Sequence, residues 1–379
     1  MAQAIDALAE LVGAEAARRI VEFRRDMHQH QTLPVEQVHR FAGNGVCAVI
    51  RGKKDGPMIG LRADTDALPI QEETSVAWKS AIDKCAHLCG HDGHTAGLLA
   101  AATLLAQTRD FAGSVVLIFQ PGEEGWAGAD KMIKDGLFER YPCREVFAIH
   151  GAPSRPLGTV AVREGAMTAS VDIAYMTVEG RGGHGARPQE TIDPMPAAAE
   201  LILALQTIVA RNINPADSAV VSCCFVQAGD PLAPTVIPQR VNLSATIRTH
   251  SPKVRDKIEA RFNEITQGIG TVFGGEVKLD YQRRYPPQIN DPALVRAILP
   301  ALQSVYGEAG VDTKFAPSMG GEDFAFMSEK VPGVYMQVGL GDEGHTAQLH
   351  NPGFDFNDLG LAYAARTFAA IVQERLPLK

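Results

Sequence analysis

No apolar run in the chain approaches the roughly 18 residues needed to span a bilayer, so no membrane partner is expected. Cysteine is scarce: six in 379 residues are too few for a disulfide scaffold. Cys223-Cys224 lie side by side in a strand-like run, where neighbouring side chains point to opposite faces. Basic residues are not in excess either. Thirty-six Lys and Arg against 44 Asp and Glu leave a net charge of −8, which offers no basic face, and nucleic acid is not an expected partner. The N-terminal stretch lacks a signal-type apolar core. Ala4 through Arg25 reads instead as an amphipathic helix with acids early and arginines late, which points to the cytoplasm.

What is present is a globular composition, 45% hydrophobic and 21% charged, in a chain long enough for two modules. Two short stretches carry the chemistry. Cys89-Gly90-His91-Asp92 places a thiolate and an imidazole two residues apart, so that both can close on one cation from a turn, and zinc accepts both donors. Gln120-Pro121-Gly122-Glu123-Glu124 follows the continuous apolar run Ser114 through Phe119. The two carboxylates therefore sit at the C-terminal end of a buried strand, where open α/β sheets carry their active sites. Adjacent side chains point apart in a turn, so Glu124 can ligate while Glu123 faces the activated water.

A C-x-H triplet or a Glu-Glu pair alone is weak, since either arises by chance or on a solvated surface. Two further imidazoles strengthen the case. His150 follows the apolar run Glu145 through Ile149 and reads as another strand-end residue; His350 lies beyond the strand Val334 through Val338 and a glycine-rich loop. Cys89, His91, Glu124, His150 and His350 make five ligands, too many for one tetrahedral zinc with an open position. Two divalent ions about 3.5–4 Å apart share them better and can hold a hydroxide between them. Zinc suits the thiolate, and manganese is selected where geometry and availability favour it. The nucleophile is then water, with Glu123 as general base passing the proton to the leaving amine.

Other residues admit two readings each. His184, in Gly180-Arg181-Gly182-Gly183-His184, is either part of a tight turn or a stabiliser of the oxyanion. Arg248 is either an exposed ion-pair partner or a clamp for a substrate carboxylate. Asp64 and Asp66 are turn formers or part of the site, Asp66 as a partner that orients a ligating histidine. Cys85 is a structural residue or a spare ligand. His28, His30, His39, His87 and His345 receive no metal role.

Along the chain, Val46 through Ile50 and Met58 through Leu61 read as neighbouring strands joined by the turn Lys53 through Gly56, and His94 through Arg109 as a helix. Near residue 177 the pattern changes to strand, helix, two strands, helix, strand. The strands are Val171 through Val178, Ala219 through Val226, Val241 through Ile247 and Val277 through Tyr281; the helices are Pro194 through Arg211 and Pro252 through Phe273. The expected fold is thus α/β: a layered catalytic domain with a mostly parallel central sheet in two parts, 1–176 and 290–379, interrupted by a compact inserted domain of ferredoxin-like βαββαβ plan over 177–289.

Taken together, Arg24-Arg25-Asp26-Met27-His28, Arg62 through Pro69, Cys89 through His94, Gln120 through Glu124, Gly182-Gly183-His184, Gly321-Glu322-Asp323-Phe324 and Leu349-His350-Asn351-Pro352 resemble the aminoacylase and carboxypeptidase family of di-metal amidohydrolases. The resemblance runs nearly end to end and is nearest to the branch of hippurate hydrolases and auxin-conjugate (indole-acetyl-amino-acid) hydrolases. It implies that Cys89, His91, Glu124, His150 and His350 bind two zinc or manganese ions with Glu123 as base. It also implies that the inserted domain over 177–289 is a lid and dimerisation domain through which the chain forms a homodimer, with His184 reaching the partner's site. Three features depart from the family pattern: the segment from His30 to Gly43 is short, Thr235 replaces an asparagine thirteen positions before Arg248, and Gly151-Ala152 replaces a bulkier pair, which would make the acyl site roomier or differently shaped. The expected reaction is hydrolysis of an N-acyl amino acid, hippurate-like or a related conjugate, to a carboxylic acid and an amino acid. A dipeptidase or carboxypeptidase acting on short, dipeptide-like substrates is the nearest alternative, and an inactive metabolite-binding relative a more distant one.

Overall fold

The computed structural model describes residues 2–30 and 39–378; most of the short segment after His30 lies outside the described residues. The chain divides into two compact units, one of Met1–Met167, Ile289–Ala316 and Asp323–Lys379, the other of Thr168–Gln288 and Pro317–Glu322. The second unit begins before residue 177 because the strand Val171–Glu179 pairs along its length with two strands of that unit. Composition gives no sign that residues 317–322 return to it.

In the first unit an eight-stranded sheet runs in the order His39–Phe41, Gly45–Arg51, Ala112–Gln120, Lys54–Asp64, Glu145–Pro156, Gly333–Gly341, Val160–Ala161 and Val311–Asp312. Its centre is parallel. The strands Gly45–Arg51 and Lys54–Asp64 are not neighbours, contrary to the hairpin that their short connection suggests. The strand Ala112–Gln120 lies between them, antiparallel to the first and parallel to the second. This run is apolar on both faces. Val115, Leu117 and Phe119 pack with Leu98, Phe368 and Ile298 on one side, while Val116 and Ile118 pack with Met132, Phe324 and Met327 on the other. A strand buried on both faces loses least when it is paired on both edges as well.

The N-terminal segment forms two helices, Ala2–Val12 and Ala14–His30, where the amphipathic pattern suggests one. Gly13 between them has φ +87°, outside the helical region. Their apolar faces cover the helix His91–Thr108. Among the described residues no helix is long and apolar enough to cross a membrane.

The second unit has the strand order Ala219–Ala228, Arg240–Thr249, Val171–Glu179, Glu276–Tyr285, all antiparallel. With chain order strand, helix, strand, strand, helix, strand, this is the ferredoxin-like arrangement. The helices Pro194–Thr207 and Pro252–Phe273 pack on one face, over Ala174, Met176 and Val178. Each has a capping residue followed by proline: Asp193 accepts from Met195 N and Ser251 from Val254 N. Asp291-Pro292 repeats the device in the first unit, at the helix Pro292–Tyr306.

Candidate metal centre

The five residues proposed as ligands all belong to the first unit, and the fold brings them together. Cys89 Sγ lies 3.4 Å from His150 Nε2 and 3.3 Å from His350 Nε2. His350 Nε2 is 3.2 Å from Glu124 Oε1. One donor atom each of Cys89, His91 and Glu124 fall within 4.8 Å of one another. The thiol sulfur is thus central to the cluster.

Local backbone explains how each side chain is aimed. Gly90 adopts φ +87° between Cys89 and the helix that His91 opens. A Cβ added there would lie 3.1 Å from the Phe356 ring, and one at Gly93 would lie 2.3 Å from it. Glu123 and Glu124 begin a short helical turn that breaks at Glu124, whose ψ is 72°, and at Gly125, whose φ is +87°. The following Gly128 sits so close under Pro121 that a Cβ would be 1.6 Å from its carbonyl oxygen. His350 is a non-glycine residue at φ +63°, with its N–H donating to Leu88 O at 2.7 Å. Such backbone is strained for a residue with a Cβ and persists where surrounding contacts hold it.

His150 is not at a strand end. The strand continues from Glu145 to Pro156, paired beyond His150 with the strand Gly333–Gly341. Gly151 opens no empty space beside it. Gly151 and Ala152 are both buried within the strand, and a Cβ on Gly151 would meet Leu340 Cδ1 at 2.4 Å. The space a side chain at residue 151 would occupy is filled by Leu340.

Hydrogen bonds assign the imidazole nitrogens. His91 Nδ1 is 2.9 Å from Asp66 O, which requires Nδ1–H, so in the neutral imidazole that a cation favours Nε2 is the lone-pair atom. That Nε2 is buried and has no hydrogen-bond partner among the described residues, and Glu124 Oε1 is likewise buried without hydrogen-bond geometry. Two buried, inward-facing acceptors beside a thiol and two more imidazoles are costly unless a cation satisfies them. The donor set, one sulfur, three nitrogens and a carboxylate, fits borderline divalent ions.

His94, only three residues from His91, is closed to a cation although it clusters with Asp64, His91 and His150. Its Nδ1 is 2.6 Å from Asp64 Oδ1 and its Nε2 accepts the Gly151 N–H at 2.7 Å. Asp64 Oδ2 in turn accepts from Arg62 Nη1 at 2.8 Å. Asp66 does more than meet His91: its two oxygens accept the N–H groups of Glu123 and Glu124 at 2.9 and 3.0 Å. Burial opposes its charge, but those bonds and the His91 imidazole hold its carboxyl below the usual range.

Without a cation, burial pushes the Cys89 thiol up and the His150 imidazole well down. His91 is driven up against the effect of burial by the Asp64 charge and Cys89. A bound divalent ion favours thiolate and neutral imidazole instead.

Beneath the centre, Asp92 is fully buried between Arg24 Nη1 at 3.1 Å and His28 Nδ1 at 2.9 Å, and His28 Nε2 is 3.2 Å from Glu72 Oε2. Burial disfavours the imidazolium, yet the Asp92 charge outweighs it and His28 is raised to about 9. Arg24 and His28 were visible in the sequence only as part of a motif; their partners lie 68 and 64 positions away.

His184 and Arg248 belong to the second unit. His184 lies in the two-residue strand Gly183–His184, paired with Val236–Ile237, and its Nδ1 accepts the Ala186 N–H. Thr235 is in the same ribbon, its carbonyl accepting from Gly185 N at 2.8 Å. Arg248 is half-buried; its Nη1 donates to Thr246 Oγ1 and to Ile247 O, and it forms no ion pair among the described residues.

The sequence model described as Peptidase family M20/M25/M40 matches residues 60–374. The chain is 36% identical over 373 residues to the N-acetylcysteine deacetylase of Bacillus subtilis, covering 93% of this chain and 96% of that protein. It is 38% identical over 332 residues to the hippurate hydrolase of Campylobacter jejuni, covering 88% and 85%. Among solved structures, the YXEP protein of Bacillus subtilis, described as a dinuclear metal binding peptidase from the M20 family, superimposes with a TM-score of 0.81 at 32% identity, covering 96% of this chain and 99% of that one.

Proposed function

The chain belongs to peptidase family M20/M25/M40 and is a metal-dependent amidohydrolase; from that premise we propose that it cleaves the amide bond of N-acyl amino acids, releasing a carboxylic acid and an amino acid. The observation that carries this reading is the convergence of Cys89, His91, Glu124, His150 and His350 around one sulfur, with Glu123 adjacent and buried. These five side chains would hold two divalent ions, zinc or manganese, the sulfur and imidazoles favouring zinc. Bound ions of this kind supply Lewis acidity toward the scissile carbonyl and acidify water.

Glu123 takes the proton of the attacking water and delivers it to the leaving nitrogen. Its N–H is tied to Asp66, which fixes the loop on which its carboxylate turns. His184 donates to the developing oxyanion, and Arg248, which makes no ion pair among the described residues, pairs with the substrate carboxylate. The names of the relatives, a deacetylase of N-acetylcysteine and a hippurate hydrolase, support a small acyl-amino-acid substrate. The free cysteines agree with a cytoplasmic enzyme. A homodimer forms through the second unit, where the edge strand Ala219–Ala228 exposes Phe225 and Val226.

The test is Glu123→Gln in metal-loaded enzyme, assayed on N-acetyl, N-benzoyl and indole-acetyl amino acids and on dipeptides in both chiralities. Turnover is expected to fall by about 10²–10⁴ with both ions retained. Near-normal turnover removes Glu123 from the mechanism, and preference for dipeptides replaces the deacylase reading with a dipeptidase.

A further inference from the structure

We propose that Asp323 is a positioning residue for the Glu123 carboxylate, clamping both ends of the loop that carries it, and that Arg62 ties this clamp to the histidine side of the centre. The inference rests on the reading of Glu123 as the base.

Asp323 is fully buried, and its N–H donates to Glu123 Oε1 at 3.3 Å. Its carboxylate accepts from Gln120 Nε2 at 2.8 and 2.9 Å on its two oxygens and from Ala129 N at 3.0 Å. Gln120 is the last residue of its strand and Ala129 lies in the helix Gly128–Lys134. The loop bearing Glu123 and Glu124 runs between those two points, so one carboxylate holds its entry and its exit.

Arg62 completes the connection. It is fully buried and donates through Nη2 to Asp323 Oδ1 at 3.0 Å, through Nε to Gln120 Oε1 at 2.8 Å, and through Nη1 to Asp64 Oδ2 at 2.8 Å. Asp64 holds His94, which holds the backbone at Gly151 beside His150. An unbroken set of hydrogen bonds therefore runs from the strand bearing His150 to Glu123.

A buried ionic network stabilises little beyond what apolar packing of the same volume would achieve. What it supplies is direction. The N–H on Oε1 restrains one oxygen of Glu123, and a base must lie within hydrogen-bond reach of the proton it removes.

The experiment compares Asp323→Asn and Gln120→Ala with the wild type, and Asp323→Asn in the Glu123→Gln background, as metal-loaded full-length protein on the best N-acyl amino acid. For Asp323→Asn the expected result is a kcat lower by roughly 10- to 100-fold, with KM within about twofold, metal content unchanged and thermal unfolding still cooperative. In the Glu123→Gln background the same change should cost less than about threefold, because the positioned group is already gone. Equal losses in both backgrounds, or a kcat within about threefold of wild type, would overturn the proposal. If Asp323→Asn does not fold, Gln120→Ala decides: it removes both Nε2 hydrogen bonds to Asp323 and should lower kcat by about 3- to 30-fold at constant KM, and an unchanged kcat overturns the clamp. A normal Asp323→Asn beside an inactive Glu123→Gln sinks the clamp alone. Normal turnover by Glu123→Gln sinks the base and the clamp together.

Discussion

Cys89 Sγ and His350 Nε2 stand 3.3 Å apart although 261 positions separate them in the chain. The contact closes only when the loop before the last helix docks against the helix that His91 opens, and His350 holds a left-handed backbone to make it. Donors so far apart in sequence cannot form a preorganised site in the unfolded chain, so a cation held by both would stabilise the folded first unit.

His91 and His94 lie one helical turn apart, yet only His91 presents a free lone pair. His91→Ala should lose bound metal and lower turnover by more than about 100-fold, since a ligand is removed. His94→Gln should keep both ions and lose activity by roughly tenfold or less, because it relaxes the Asp64 and Gly151 contacts without opening the ion cage. Elemental analysis of dialysed protein reads the difference. Loss of an ion from His94→Gln would show the assignment of its nitrogens to be wrong.

The Asp92–His28–Glu72 bridge makes stability depend on pH in a defined direction. His28 is raised in the folded protein to about 9 from an unfolded value of roughly 6.5. Its contribution is therefore fully present below about pH 6.5, declines as pH rises, and is lost above about 9. Relative to His28→Gln the wild type should be more stable by on the order of 2 kcal/mol at pH 6, with the gap shrinking toward pH 10. Unfolding midpoints of both proteins at pH 6, 8 and 10 check this. A gap that stays constant would mean that the charge of His28 contributes nothing.

If His184 serves the partner's site, His184→Ala and Glu123→Gln chains should each be inactive alone and recover on mixing. A statistical mixture contains about half heterodimers, each with one intact composite site, so activity should return to roughly a quarter of wild type. Co-refolded mixtures titrated across ratios provide the measurement. Flat, negligible activity at every ratio would place His184 and Glu123 in the same subunit's site, and an active His184→Ala chain would remove His184 from it.

Much of the architecture is legible from local signals. The alternation from Val171 to Val178, the capped prolines Pro194 and Pro252 and the apolar run Ser114 to Phe119 each declare an element without reference to the rest of the chain. The residues that form the centre were also readable, because thiol, imidazole and carboxylate side chains after strands or at a helix start have few other uses together. Strand order was not readable. Nothing between Ile50 and Met58 says that residues 112–120 will part their strands, because pairing depends on which edges remain unsatisfied once distant segments arrive. The same holds for His150, whose strand continues because the strand Gly333–Gly341 pairs beside it.

The amino-acid order alone determined the element types, the inserted βαββαβ segment and the five donor side chains, since these follow from short-range periodicity, capping and side-chain chemistry. Only the tertiary structure decided that Cys89 Sγ stands between two imidazoles, that His94 is engaged by Asp64 and Gly151, and that Asp323 grips the loop of Glu123. Those are distances between atoms far apart in the chain, and they exist only where packing has fixed the direction of each side chain.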